Sequence, residues 1–244
     1  MKEVSERTPF KEPLKPVLED PSAHLYSING CRDYIVRIKS LRPTEELALH
    51  RFDMARVIFQ ELDQDYGITV VSYDIVLGSD EYNENAAYLV ADKVVGEGLE
   101  EAKIPEQEAE RFFSSLLNYH IDKYKRGGYY VYDLNSHDFV YGKTDANPEE
   151  LIYFVDLDDF YDFLDPTKGN DHFALNLIAL NGILKALEIH SGSGFVKLRG
   201  EYLSFLRRVK ESFDPSRRRE IDKIIQEYQP TEDMGEDLRE IRSY

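Results

Sequence analysis

The chain is poor in cysteine and in positive charge, and both shortages narrow the range of its functions. Cys31 is the single cysteine among 244 residues, which excludes an internal disulfide and any cysteine-based zinc site and is typical of a reducing compartment. Lysine and arginine number 30 against 47 acidic residues, so the formal net charge is −17. Because this charge repels phosphate backbones and anionic headgroups, we expect no nucleic-acid partner and no binding to membrane surfaces.

Long apolar runs are also lacking. The longest charge-free apolar stretch of note, residues 173–184, has about a dozen residues, whereas a transmembrane helix needs about 20. The N-terminal sequence MKEVSERTPFKEP lacks the apolar region of a secretory signal. With 42% hydrophobic and 12% aromatic residues, the chain has enough apolar side chains to form a core. We therefore predict a cytoplasmic globular protein without a transmembrane segment.

The pattern of apolar and turn-forming residues divides the chain into a strand-rich part and a helix-rich part. The proline-containing residues 1–22 are predicted to form an extended leader. The first hundred residues then combine several strands with one helix that ends at Gly67, and helical periodicity dominates beyond them. Strands are predicted on both sides of Asn29-Gly30 and at 68–78, 86–96, 129–134, 139–142 and 151–158, and helices at 47–62, 104–126, 173–190, 198–213 and 214–229.

Acidic side chains stand where predicted strands end. Asp133 comes where a β run breaks into polar loop residues, and the apolar strand that begins at residue 151 ends in Asp156 and Asp158. Side chains at positions i and i+2 of a strand lie on one face, so the last two acids are expected to share a cleft. Neighbouring carboxylates need a cation to offset their repulsion, and their oxygen atoms suit Mg²⁺. The alternative is that these acids only mark the ends of strands.

The order of these motifs resembles that of the protein-kinase-like superfamily. The sequence VRIK at 36–39 resembles the V-A-I-K strand, and residues 88–98 are similar to a strand that enters the kinase hinge. The sequence DLNSHD at 133–138 is similar to the D-L-N-x-H-N loop of the lipopolysaccharide kinase branch, which includes the 3-deoxy-D-manno-octulosonic acid kinases. The sequence DLD at 156–158 stands where protein kinases have D-F-G.

The resemblance covers residues 25–213 and implies an α+β, bilobal protein-kinase-like fold with a strand-rich N-lobe and a helical C-lobe. It implies ATP and Mg²⁺ as cofactors and a hydroxyl of a small molecule or sugar as the acceptor of the phosphoryl group. A protein partner is left open. The expected units are the leader at 1–22, the N-lobe at 23–95, the C-lobe at 96–230 and a tail at 231–244.

The resemblance also implies roles for single residues in nucleotide binding. Lys39 would contact the α- and β-phosphates, and residues Asp92 to Val94 at the hinge would offer backbone groups to adenine. The usual partner of such a lysine is an acid on the following helix. Asp53 lies at roughly the expected distance, with Glu46 and Glu61 as rivals.

The remaining implied roles concern the acceptor and the metal. Asp133 would orient or deprotonate the acceptor hydroxyl, which is the work of a general base. Asp156 would bind Mg²⁺, together with Asp158 and with Asp138, which stands where the family has asparagine. A carboxylate still binds Mg²⁺, but it makes the site more negative.

Two departures from the kinase pattern keep a second function open. Val131-Tyr132 replace the His-Arg pair that usually precedes the catalytic aspartate, and near the first hairpin only Asn29-Gly30 is available in place of a G-x-G-x-x-G motif. The alternative is a pseudokinase that binds nucleotide or a partner with little or no catalysis. An interaction domain without nucleotide is a third reading. The net charge also counts against a strongly anionic acceptor such as lipopolysaccharide.

Two further features are each open to two interpretations. Asp171 is expected to be the N-cap of the helix that follows it, or, by the resemblance, to brace the catalytic loop. The basic clusters at 207–208 and 217–219 are expected to be solvated helix faces or a docking site for an acidic partner.

Overall fold

The protein is an α+β chain with one β-sheet in its N-terminal part, a second sheet whose strands extend as far as residue 154, and a mostly helical C-terminal part. The computed structural model describes residues 14–16, 25–28, 34–40, 45–78, 86–131, 134–156, 170–189 and 195–228. The strands are β1 (Leu14–Pro16), β2 (Leu25–Ile28), β3 (Tyr34–Ser40), β4 (Thr69–Val70), β5 (Tyr73–Gly78), β6 (Ala86–Asp92), β7 (Val95–Gly98), β8 (Phe139–Lys143) and β9 (Leu151–Phe154). The α-helices are α1 (Glu45–Tyr66), α2 (Glu106–Arg126), α3 (Asn170–Glu188), α4 (Phe195–Val209) and α5 (Pro215–Glu227).

The first sheet is antiparallel and has the strand order β1-β2-β3-β6-β5. The two strands predicted on either side of Asn29-Gly30 are confirmed as the antiparallel pair β2 and β3, while the turn between them lies outside the described residues. Strand β1 falls within the segment predicted as a leader, and it pairs with β2. Lys39 lies on β3 opposite Ala87 of β6.

Helix α1 packs against both sheets. The ring of Phe59 contacts Tyr73 of the first sheet and Phe154 of the second, each at a centroid distance of 5.7 Å. The helix ends before Gly67, as predicted. Gly67 has a φ of +64°, which a glycine adopts readily, and its N–H closes the last turn by donating to the carbonyl oxygen of Asp63.

The second sheet has the order β4-β9-β8-β7, and its strands come from distant parts of the chain. Strand β4 runs parallel to β9, which ends just before Asp156. The predicted strand at 68–78 is therefore two strands in different sheets, and the predicted strand at 86–96 ends at Asp92. The chain passes between the sheets at 71–72 and again at 93–94, and the N–H of Asp92 donates a hydrogen bond of 2.9 Å to the carbonyl oxygen of Ser72. Local alternation of apolar residues does not show such crossings.

Glycine is required where β7 and β8 pair. Gly96 stands directly opposite Gly142 in the register of these strands. A Cβ atom on Gly96 would overlap the carbonyl oxygen of Tyr141, and one on Gly142 would overlap that of Val95. The two backbones therefore approach more closely than strands with side chains at this position could.

The helical part forms the largest share of the buried core. Helix α3 contacts α2, α4 and α5, and the buried hydroxyl of Tyr202 in α4 donates a hydrogen bond of 2.6 Å to the carbonyl oxygen of Leu177 in α3. Helix α5 begins at Pro215 after Asp214, whose carboxylate accepts hydrogen bonds from the N–H groups of residues 216 and 217. The pKa of Asp214 lies well below its usual range, and the hydrogen bond from the hydroxyl of Ser216 lowers it most.

The structure differs from the sequence predictions at residues 129–134 and at Asp171. The predicted strand at 129–134 is wrong for its described residues, in which only Tyr130 forms an isolated bridge. Asp171 is not an N-cap, because α3 already begins at Asn170, and a hydrogen bond with Asp214 raises the pKa of its carboxyl group. Within the described ranges, none of the helices combines the length and the apolar character needed to cross a membrane.

Candidate functional site

A tight capped turn forms the second half of the DLNSHD loop. Ser136–Asp138 is a 3-10 helix, and the side-chain oxygen of Asn135 accepts a hydrogen bond of 2.8 Å from the N–H of His137. In return, the carboxylate of Asp138 accepts one of 2.6 Å from the N–H of Asn135. This reciprocal pair is a capping box, and it gives Asp138 a structural role beside the predicted one in metal binding. The signal was present in the sequence as an asparagine three residues before an acid.

The same turn is attached to the segment that carries Asp156. The N–H of Val155 donates a hydrogen bond of 2.8 Å to the carbonyl oxygen of Asp138. Asp138 is 3% exposed, and Asp156 is half-buried. Since β9 ends at Phe154, Asp156 lies beyond the described strand, and its expected sharing of a face with Asp158 stays a prediction. Asp158 lies outside the described residues.

Two buried side chains hold the backbone of the first half of the loop. Asn176 of α3, which is 0% exposed, donates from Nδ2 to the carbonyl oxygen of Val131. Its Oδ1 accepts a hydrogen bond of 3.4 Å from the N–H of Leu134. The N–H of Val131 donates to the hydroxyl oxygen of Tyr119 in α2 at 3.1 Å. Asp133, the predicted base, lies outside the described residues, but the residues that flank positions 132–133 are both bound to Asn176. Asn176 therefore ties together the backbone on both sides of these positions.

The acids offered as partners of Lys39 are distributed along α1. Asp53 and Glu46 lie in the part of this helix that precedes the described core contacts, and the choice between them stays a prediction. Glu61 is engaged elsewhere, because its Oε2 is 2.6 Å from Nζ of Lys123 in α2. The side chains of this ion pair are 25% and 11% exposed. The pair connects α1 to the helix that carries Tyr119.

The predicted hinge coincides with the second crossing between the sheets. Asp92 ends β6, and Val94 is half-buried and packs against the core. The N–H of Asp92 already donates a hydrogen bond to Ser72, so it is not available as a donor to adenine. Burial is the main cause that raises the pKa of Asp92, and the charges of Asp145 and Asp74 add to it.

The metal site predicted from Asp138, Asp156 and Asp158 is only partly covered by the structure. Among the residues that the structure describes, no group of three or more His, Cys, Asp or Glu side chains is arranged to hold a metal ion. The hydrogen bond from Val155 to the backbone of Asp138 nevertheless puts the segments of Asp138 and Asp156 side by side, and carboxylate oxygens fit the ligand preference of Mg²⁺. The donor chemistry of these two residues therefore fits the implied ion.

The other conspicuous features lie away from this loop. A cavity of about 330 Å³ is lined by α1 and the β4–β5 region and contains none of the predicted site residues. Arg217 pairs with Glu220, and Arg218 pairs with Glu211. These two arginines are therefore paired within the chain, and the choice between a solvated face and a docking site stays a prediction.

Comparison with known proteins gives only weak similarities. No protein-family model and no curated protein matches the chain. Among solved structures, it is similar to the Cydia pomonella granulovirus kinase PK-1, with a TM-score of 0.40 and 15% identity over 70% of this chain and 65% of PK-1. It is also similar to WbdD, with a TM-score of 0.40 and 13% identity over 91% of this chain and 49% of WbdD. The chain thus spans less than two thirds of either protein, and at this level neither similarity supports a conclusion about activity.

Proposed function

We propose that the protein is an ATP- and Mg²⁺-dependent phosphotransferase of the protein-kinase type that acts on a hydroxyl of a small molecule or sugar. The observation that carries the proposal is the hydrogen bond from Val155 to Asp138. The two kinase-like motifs, DLNSHD and the segment with Asp156, were linked in the sequence by order alone. A kinase needs them side by side, because one positions the acceptor hydroxyl and the other binds the metal of the nucleotide.

The bound nucleotide would lie along β3 and β6. Lys39 is placed on the strand that pairs with β6, and β6 leads directly into residues 93–94. In this proposal, Lys39 binds the phosphates, Asp53 or Glu46 orients the lysine, and the Asp92–Val94 segment binds adenine. The pairing of β3 with β6 supports the assignment because it puts both binding elements in neighbouring strands.

Asp156 and Asp138, with Asp158, would hold Mg²⁺, which when bound neutralises the charge of the phosphates. Asp133 accepts the proton of the acceptor hydroxyl and aligns this group. Asn176 holds the backbone on both sides of the segment that contains Asp133. Without a cation, these carboxylates would repel the phosphates of ATP, so nucleotide binding is expected to depend strongly on Mg²⁺.

Thermal unfolding with ATP, in the presence and absence of Mg²⁺, tests this function. A ligand at 100 times its Kd stabilises the native state by about 2.7 kcal/mol, which raises Tm by about 5–10 °C for a chain of this size. We expect such a rise only with Mg²⁺ and expect Asp156→Asn to abolish it. Asp65→Asn, which removes the same charge from an exposed site on α1, is the matched control and is expected to keep the rise.

A second candidate is a nucleotide-binding pseudokinase. The capping box favours this candidate, because the carboxylate of Asp138 already accepts a hydrogen bond from the N–H of Asn135, and this bond competes with metal binding. A Mg²⁺-dependent rise in Tm without phosphoryl transfer to any of a panel of sugars and small alcohols would support this candidate. Transfer that is lost in Asp133→Asn would support the enzyme. No rise at millimolar ATP would contradict both.

A further inference from the structure

A buried tyrosine contacts the candidate catalytic loop, although its sequence pattern only indicates a core residue. Tyr119 lies on α2 and is 0% exposed, and its hydroxyl oxygen accepts the hydrogen bond of 3.1 Å from the N–H of Val131. Val131 is also 0% exposed, so water cannot replace this bond. Deletion of the hydroxyl would leave a buried N–H unpaired, which is more costly than the loss of an exposed hydrogen bond.

The ring of Tyr119 is held from two sides. Tyr66, in the last turn of α1, packs edge-on against it with a centroid distance of 5.3 Å and an interplanar angle of 84°. Nζ of Lys123 lies 5.6 Å from the ring centroid, and the same ammonium group pairs with Glu61 of α1. Because Tyr66 and Glu61, the partner of Lys123, both belong to α1, the position of the Tyr119 hydroxyl depends on how α1 packs against α2.

We infer that Tyr119 is a positioning residue whose hydroxyl holds Val131, and thereby the segment that leads to Asp133, in the geometry needed for phosphoryl transfer. The inference rests on the proposed function for the role of Asp133, but the anchoring of the loop is independent of it. Burial raises the pKa of the Tyr119 phenol far above its usual range, so the group stays neutral and the bond is unchanged across the working pH.

The chain offers a closely matched control for this role. Tyr202 of α4 is also 0% exposed, and its hydroxyl likewise makes one hydrogen bond to a backbone atom, the carbonyl oxygen of Leu177. That bond joins two helices and does not involve the loop. Tyr119→Phe and Tyr202→Phe therefore remove the same group from equally buried sites, although Tyr119→Phe should cost more stability, because it leaves the N–H of Val131 unpaired while the carbonyl of Leu177 keeps its bond within α3.

The test measures amide hydrogen exchange of residues 130–134 and steady-state kinetics in the full chain. We expect Tyr119→Phe to accelerate exchange of this segment by about tenfold and to lower kcat by about tenfold, with KM for ATP within about twofold of the wild type. Tyr202→Phe should leave both the loop exchange and kcat unchanged. Equal exchange in the two variants, or an equal fall in kcat, would overturn the positioning role. If the wild type transfers no phosphoryl group, the proposed function fails, whereas the exchange experiment still decides whether Tyr119 anchors the loop.

Discussion

The backbone N–H of Val155 donates a hydrogen bond of 2.8 Å to the carbonyl oxygen of Asp138. This bond joins the two acidic motifs of the chain and uses no side chain. It continues the pairing of β8 with β9 by one step and thereby fixes the segment of Asp156 beside Asp138.

Replacement of Val155 by proline tests this bond, because proline has no N–H to donate. We expect Val155→Pro to weaken the Mg²⁺-dependent rise in Tm caused by ATP, since the segment of Asp156 would lose its last bond to Asp138 while β8 and β9 stay paired through Phe139 and Phe154. Val155→Ala keeps the N–H and should retain the rise. Differential scanning fluorimetry on both variants measures the outcome, and an undiminished rise in Val155→Pro would show that the bond is not needed for binding.

Asn176 should contribute more to stability than Asn181, the other buried asparagine of α3. Asn176→Ala removes two hydrogen bonds and leaves two buried backbone groups unpaired, so the free energy of unfolding should fall by about 2–4 kcal/mol. Asn181→Ala is the control on the same helix, because Asn181 is 8% exposed and its side chain accepts a hydrogen bond of 3.0 Å from the hydroxyl of Tyr228, away from the loop. Urea denaturation compares them, and equal losses would argue against the bracing role of Asn176.

His120 should make the protein sensitive to acid. It is 0% exposed, Nδ1 lies 2.8 Å from the carbonyl oxygen of Leu116, and burial lowers the pKa of the ring from 6.5 to about 4. The unfolded chain then binds more protons than the native state between these two values. The stability that His120 contributes by staying neutral is fully present above pH 6.5. As the pH falls toward 4, the free energy of unfolding decreases by on the order of 3 kcal/mol.

The measurement is urea denaturation at several pH values between 7 and 4 for the wild type and His120→Phe. The rings of Tyr119 and Phe173 surround His120, so phenylalanine suits the site and does not titrate. The difference between the two proteins cancels the contribution of the carboxyl groups. We expect the wild type to lose more stability than the variant, and parallel curves would contradict the lowered pKa.

The Glu61–Lys123 ion pair should be among the stronger ion pairs of the described structure. A double-mutant cycle with Glu61→Gln and Lys123→Met is expected to give a coupling energy of about 1–2 kcal/mol, since both side chains are largely buried. Lys197 and Glu201 provide the comparison, because their side chains are 86% and 50% exposed and their charged atoms are 3.7 Å apart. That pair should couple by less than about 0.5 kcal/mol. Similar coupling in the two cycles would mean that burial does not strengthen the first.

Helices were predicted well from the sequence because their signals are local. The apolar period of α2 and the left-handed glycine after α1 can both be recognised without knowledge of the fold. The division of residues 68–78 between two sheets could not be predicted, because the partners of β4 and β5 lie far away in the chain. Strand alternation gives the faces of a strand but not its neighbours.

The anchors of the loop were missed for different reasons. Asn176 stands in a charge-free apolar stretch, and a buried amide in such a place needs hydrogen-bond partners. This asparagine was therefore a sign of a structural role, but the surrounding apolar pattern indicated only a core helix. Tyr119 left no such signal, because an aromatic residue on the apolar face of a helix is usually part of the core. Only the tertiary structure places its hydroxyl beside Val131.

The two short crossings between the sheets, at 71–72 and 93–94, have a mechanical consequence. They are joined by the bond between Asp92 and Ser72, so a rotation of one sheet against the other would have to bend the chain at both crossings together. Any rotation of one sheet against the other would be concentrated there. A ligand bound by residues 93–94 would sit on the axis and move little, whereas Lys39, five residue pairs along β3 from the pairing of Tyr34 with Asp92, would swing through a much longer arc.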